Sequence, residues 1–78
     1  MTRRRADVVI DARGLEPPEP MVRTMEALDH LDPGHKLLVL LPREPFPLYR
    51  ALELNGFSWQ TEHQADGTVT VLIEHRRR

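Results

Sequence analysis

Leu37-Leu38-Val39-Leu40-Leu41 puts aliphatic side chains at both odd and even positions of one short run. Alternate residues of a β-strand face opposite sides of its sheet, so this run is apolar on both faces. It falls far short of the roughly 18 apolar residues of a membrane span, and it reads as a central strand. The chain that must shelter it has 78 residues and no cysteine. A chain of that length makes one domain and buries only about 60–65% of its unfolded surface. With no disulfide, stability has to come from one compact core, with or without a partner subunit. The same absence excludes thiol and persulfide chemistry.

Around the central strand the chain divides readily. Residues 6–11 read as a short strand, with Val8 and Ile10 facing one way and Val9 the other. Arg13-Gly14-Leu15 is a turn. Pro17-Pro18-Glu19-Pro20 opens a helix, because proline suits a first helical turn where its missing N–H had no partner. Met21, Met25, Leu28 and Leu31 then form one apolar stripe. Asp32-Pro33-Gly34 ends the helix with turn residues. After the strand at residues 36–41, a proline-rich loop over residues 42–47 starts a second helix. Leu48, Ala51 and Leu52 are its buried side, and Asn55-Gly56 stops it.

Residues 57–64 and 68–75 read as a hairpin around Ala65-Asp66-Gly67. A two-residue Asp-Gly turn sets Val69, Val71 and Ile73 opposite Gln64, Glu62 and Gln60. A three-residue loop with Gly67 left-handed sets them opposite His63, Thr61 and Trp59. Only the second gathers Trp59, Phe57, Val69, Val71 and Ile73 on one face without burying a glutamate. The three-residue loop is therefore expected.

The resulting order, βαβαββ, predicts an α+β two-layer sandwich, since right-handed crossovers put both helices on the same face of the sheet. The domain is expected to span residues 6–75, with basic, flexible ends at 1–5 and 76–78. The other face of the sheet stays open and should carry Val9, Leu38, Leu40 and Leu72, an apolar set suited to a protein partner or a homodimer. The net charge of −1 conceals a division: six of the eleven basic residues lie in two terminal arginine triplets, and residues 6–75 carry −7. No signal peptide is legible, because the basic start runs at once into Ala6-Asp7. The expected location is cytoplasmic, with no membrane association.

The run Asp11-Ala12-Arg13-Gly14-Leu15-Glu16-Pro17-Pro18-Glu19-Pro20-Met21 resembles the TusA/SirA sulfur-carrier superfamily, whose hallmark is Gly-Leu-x-Cys-Pro-x-Pro between the first strand and first helix. It is most similar to a TusA-related domain-of-unknown-function family with Gly-Leu-x-Pro-Pro-x-Pro there. That family opens its second helix with Asp-Pro-x-Pro-Leu, matched here by Glu44-Pro45-Phe46-Pro47-Leu48. The resemblance covers nearly the whole chain. It implies a mixed four-stranded sheet of order 1-2-4-3, and relatives that stand alone or are joined to hemerythrin-like and other redox-linked domains. Sulfur carriers hold their cysteine at a helix N-terminus, where the dipole favours a thiolate. The matching residue here is Pro17, so sulfur transfer by that route is excluded. Arg43 is a second departure, at a position where relatives often carry histidine.

Three groups of residues invite functional readings. The loops at residues 13–20 and 42–47 follow two adjacent parallel strands, and ligands of open α/β sheets gather at such an edge. Arg13, Glu16, Pro17, Pro18, Glu19, Pro20, Arg43, Glu44 and Pro45 are the expected binding set. The structural alternative is that the prolines stiffen loops and the acids complement helix dipoles; three acids beside two arginines argue against a strong anion pocket. The arginine triplets could meet at the opposite edge and bind nucleic acid, with solvated tails as the plainer account. His30, His35, His63 and His75 show no ligand spacing, so no metal is expected. Ser58, the only serine, lies beside Trp59 with no histidine–carboxylate arrangement, and there is no phosphate loop or dinucleotide glycine signature. No cofactor and no catalytic residue are expected. The sequence therefore points to a non-catalytic binding or adaptor domain. A nucleic-acid-binding domain and a small-ligand binder at the proline-loop edge are the alternatives.

Overall fold

The computed structural model describes residues 6–76. Within them the elements follow as β1 (Val8–Asp11), α1 (Glu19–Asp29), β2 (Lys36–Leu41), α2 (Phe46–Leu54), β3 (Phe57–His63) and β4 (Val69–His75). The four strands form one sheet in the order β1-β2-β4-β3. β1 runs parallel to β2, and β4 is antiparallel to both β2 and β3. The ladder between β1 and β2 begins with a reciprocal pair at Asp7. Its N–H donates to the Lys36 carbonyl, and its carboxylate accepts the Lys36 N–H at 2.8 Å.

β2 is central, and its alternation is strict: Leu37, Val39 and Leu41 are buried, while Lys36, Leu38 and Leu40 are half-buried. The buried set meets Leu28 of α1, Leu48 and Leu52 of α2, and Val71 and Ile73 of β4 in a single core. Both helices therefore cover the same face of the sheet. In the hairpin, Val69, Val71 and Ile73 lie opposite His63, Thr61 and Trp59. Gly67 has φ of +92°. The register follows from that residue, because only glycine adopts such a φ without a steric cost. The Asp66 carboxylate steadies the same loop by accepting the Thr68 N–H at 2.9 Å. That bond, with the Thr68 hydroxyl, pulls the Asp66 pKa below its ordinary value.

The apolar stripe of α1 includes one residue that hydrophobicity does not reveal. Thr24 is fully buried between Met21 and Leu28. Its hydroxyl donates to the Pro20 carbonyl at 2.7 Å, so the buried oxygen is satisfied within the helix. α2 ends where Asn55 donates from its side chain to the Ala51 carbonyl, and Gly56 follows with φ of +83°. No helix of the described residues is long and apolar enough to cross a membrane.

Candidate functional site

β1 and β2 are parallel neighbours, so the segments leaving their C-terminal ends emerge side by side at one edge of the sheet. Between them lies a groove of about 400 Å³. The first segment contributes Leu15, Pro17, Pro18, Pro20 and Met21 to its wall. The second contributes Leu41, Pro42, Arg43, Glu44, Pro45, Pro47 and Leu48. A volume near 400 Å³ with mostly apolar walls falls within the range of small-molecule sites. The peptide bond between Pro17 and Pro18 is cis.

Both helices start at this groove, yet neither offers it free backbone donors. The first four N–H groups of a helix have no partner inside the helix. In α1, Pro20 has no N–H, Glu19 donates to the Glu16 carbonyl, and Met21 and Val22 both donate to the Pro18 carbonyl. In α2, Pro47 has none, Phe46 donates to the Glu44 carbonyl, and Leu48 and Tyr49 donate to the Pro45 carbonyl. The loop preceding each helix thus consumes its helix's donors. These helix-start amides therefore supply no phosphate cradle, the usual use of such a position.

The charged residues expected at this edge do not all face the groove. Arg13 turns away from it and grips Asp11, with Nε and Nη2 donating to the two carboxylate oxygens at 2.8 and 2.7 Å. That fork holds the Asp11 carboxyl down to about 2, and Asp11 in turn raises the Arg13 pKa. Glu16 and Glu19 are exposed and outside the groove lining. Glu19 pairs with Arg23 one turn along α1 at 3.4 Å. Glu44 does line the groove, but its carboxylate is engaged: Oε2 accepts the Tyr49 hydroxyl at 3.1 Å, and Oε1 lies 3.5 Å from His63 Nε2. Arg43 makes no side-chain hydrogen bond or ion pair to any described residue.

Beyond the expected set, the groove takes Leu15, Met21, Leu41, Pro42, Pro47 and Leu48. The signal for them was their position next to the proline runs, since each lies within three residues of an expected site residue. Behind the groove sits a cluster that sequence reasoning did not foresee. Tyr49 stacks on Trp59 with ring centroids 5.3 Å apart and planes 9° apart, and meets Phe46 edge-on at 5.9 Å. Its hydroxyl bridges Glu44 and Thr61, the latter at 2.6 Å. Burial raises the Tyr49 pKa; the Thr61 hydrogen bond opposes that, and the Glu44 carboxylate adds to it.

The open sheet face is less apolar than the count of leucines implies. Cross-strand pairing aligns Val9, Leu38, Leu72 and Gln60 in one row. The rows on either side are polar or mixed: Asp11, Leu40, Thr70 and Glu62 on one, Lys36, Glu74 and Ser58 on the other. Leu72 is only 7% exposed, Leu38 and Leu40 are half-buried, and Val9 alone is open, at 59%. At the opposite edge from the groove, the end of β4 and the start of β1 flank the start of β2. Of the two arginine triplets expected there, residues 3–5, 77 and 78 lie outside the described residues. Arg76 is tied down, its guanidinium donating to the Phe57 carbonyl at 3.2 Å. The histidines are scattered: His75 Nε2 lies 2.7 Å from the Leu31 carbonyl, and His35 lies 3.9 Å from Asp32.

Comparison with known proteins agrees with this architecture. No curated protein matches the chain. A crystal structure of a SirA-like protein from Desulfitobacterium hafniense superposes with a TM-score of 0.80 at 26% identity, covering 90% of this chain and 99% of that one. Residues 9–75 match the family described as "Uncharacterized conserved protein (DUF2249)". Since that match takes in nearly all of the sheet and both helices, the chain belongs to the DUF2249 family and has a SirA-like fold.

Proposed function

We propose that this protein is a non-catalytic binding domain of TusA-like fold, and that its recognition site is the proline-framed groove. The observation that carries the reading is the groove itself: about 400 Å³, walled by prolines, leucines and a methionine from two separate segments. Proline fixes φ and has little conformational freedom to lose, so such walls can receive a ligand without first being ordered. The non-catalytic part rests on chemistry that the chain lacks. Sulfur carriers of this fold act through a cysteine at the first helix; here the corresponding residue is Pro17, and the chain has no cysteine at all. We read its role as a supporting one in redox, sulfur or nitrogen-oxide metabolism, by resemblance to relatives joined to redox-linked domains.

Two measurements test this. The purified protein, incubated with a sulfane-sulfur donor, should show no gain of a sulfur atom by intact mass spectrometry. A native affinity pull-down, read for both proteins and small molecules, should retain a species that is lost when the groove is filled by Pro42→Trp. Pro42 is exposed at the groove wall, so circular dichroism should find this variant folded. Transfer of sulfane sulfur by the wild-type chain, or an identical set of retained species with the groove filled, overturns the reading.

A further inference from the structure

We infer that the groove takes a small molecule with an apolar body and a single carboxylate, the body between the proline walls and the carboxylate on Arg43. The inference rests on the groove being the recognition site and goes on to name its ligand class. Three observations converge on it.

The first is the lining. Leu15, Met21, Leu41 and Leu48 join the prolines to give walls with few polar atoms, which favour aliphatic or aromatic matter over a sugar or a nucleotide. The second is the state of the charges. Arg13 is neutralised by Asp11 outside the groove, and Glu44 is held by Tyr49 beside His63. Arg43 is left as the charged residue of the lining with no side-chain partner among the described residues. Its forked guanidinium matches a carboxylate with two parallel hydrogen bonds. Mixed charge in the sequence argued against an anion at this edge; the folded arrangement weakens that objection, since Arg13 pairs with Asp11, Glu19 pairs with Arg23, Glu16 lies outside the lining, and Glu44 is held by Tyr49 and His63.

The third observation selects the kind of anion. Phosphate and sulfate groups offer several oxygens and are usually met by clustered backbone N–H groups at a helix start. Here the N–H groups that open α1 and α2 are absent at Pro20 and Pro47 and engaged at the other six positions. One planar cation beside apolar walls suits one planar carboxylate. Glu44 on the same wall also disfavours a dianion, which would meet its negative charge at close range.

The test uses octanoate and octan-1-ol, which share an apolar tail and differ in charge. Each is titrated into ¹⁵N-labelled protein at constant pH, with amide shifts followed by NMR. Octanoate should bind about three- to tenfold more tightly than octan-1-ol, a ratio expected for one partly exposed charge-assisted pair. Its shifts should centre on Leu15, Met21, Leu41, Arg43 and Leu48. Arg43→Ala should bring the two affinities together by weakening octanoate alone, Arg43→Lys should keep part of the preference, and added salt should reduce it. Equal affinities for the wild-type protein, or a preference that survives Arg43→Ala, overturn the ligand class while leaving the groove as a binding site. Absence of groove shifts with both probes overturns the inference outright; the Pro42→Trp pull-down then decides separately whether the groove binds anything else.

Discussion

Tyr49→Phe removes one oxygen atom and isolates what the bridge behind the groove contributes. A tyrosine hydroxyl has a single hydrogen. That hydrogen is donated to Glu44 Oε2 at 3.1 Å, so the Thr61 hydroxyl is the donor to the Tyr49 oxygen at 2.6 Å. Phenylalanine keeps the ring that stacks on Trp59 and loses both bonds. A hydrogen bond to a charged group contributes about 1.5–3 kcal/mol when well sheltered. The Glu44 side chain is 32% exposed and Thr61 is half-buried, so water replaces part of what is lost. The expected destabilisation at neutral pH is therefore about 1–2 kcal/mol, which lowers the melting temperature of a domain this small by about 4–16 °C. Differential scanning fluorimetry and urea unfolding both measure it. The pH dependence has a definite sign. The folded Tyr49 pKa lies above its ordinary value of 10.0, so the folded state favours the protonated phenol. Its contribution is fully present below pH 10 and is lost as pH rises through the folded pKa. The gap between the two proteins should hence narrow on the alkaline side. A Tyr49→Phe protein that melts with the parent at neutral pH, or a gap that widens above pH 10, refutes the assigned bridge.

Three further outcomes follow from local geometry. Arg13→Ala should let the Asp11 carboxyl rise from about 2 toward its ordinary 3.8, visible in a carboxyl-detected NMR titration; in the parent, the Asp11–Arg13 contribution is present above the unfolded value and lost as pH falls through about 2. Leu52→Ala, at a fully buried position, should cost about 2–5 kcal/mol by urea unfolding, whereas Leu54→Ala, two residues on and 74% exposed, should stay within about 0.5 kcal/mol. Gly67→Ala should destabilise the hairpin by about 1–2 kcal/mol, because φ of +92° strains any side chain although nothing stands within 4 Å of the added carbon. Gly14→Ala, equally unobstructed and without that φ, should be neutral in the same assay.

Much of the fold was legible because it depends on local chemistry and on two-fold alternation. Proline marks the start of both helices, since it has no N–H to donate inside one, and Gly56 with its positive φ marks the end of α2. The hairpin register was decided by which option buries glutamate, and the pairing of Val71 with Thr61 follows it. Cysteine, which the chain does not contain, needs no structure to exclude. Leu72 shows where such reasoning ends. Alternation assigns it correctly to the open face, but its 7% exposure comes from neighbours on two other strands, Leu38 and Gln60.

The site followed the same division. Chain order alone brings the two proline segments to one edge, because parallel neighbouring strands end together. Which charges turn into the groove is settled by competition in three dimensions. Arg13 finds Asp11 two residues away, and Glu44 finds Tyr49 and then, across the fold, His63. Thr24, polar in the sequence, is buried because the Pro20 carbonyl in the preceding turn accepts its proton. Local propensity and alternation belong to the sequence because they involve residues a few positions apart. That Arg43 is the groove's charge without a side-chain partner among the described residues belongs to the tertiary structure, because it depends on what the neighbouring side chains have already found.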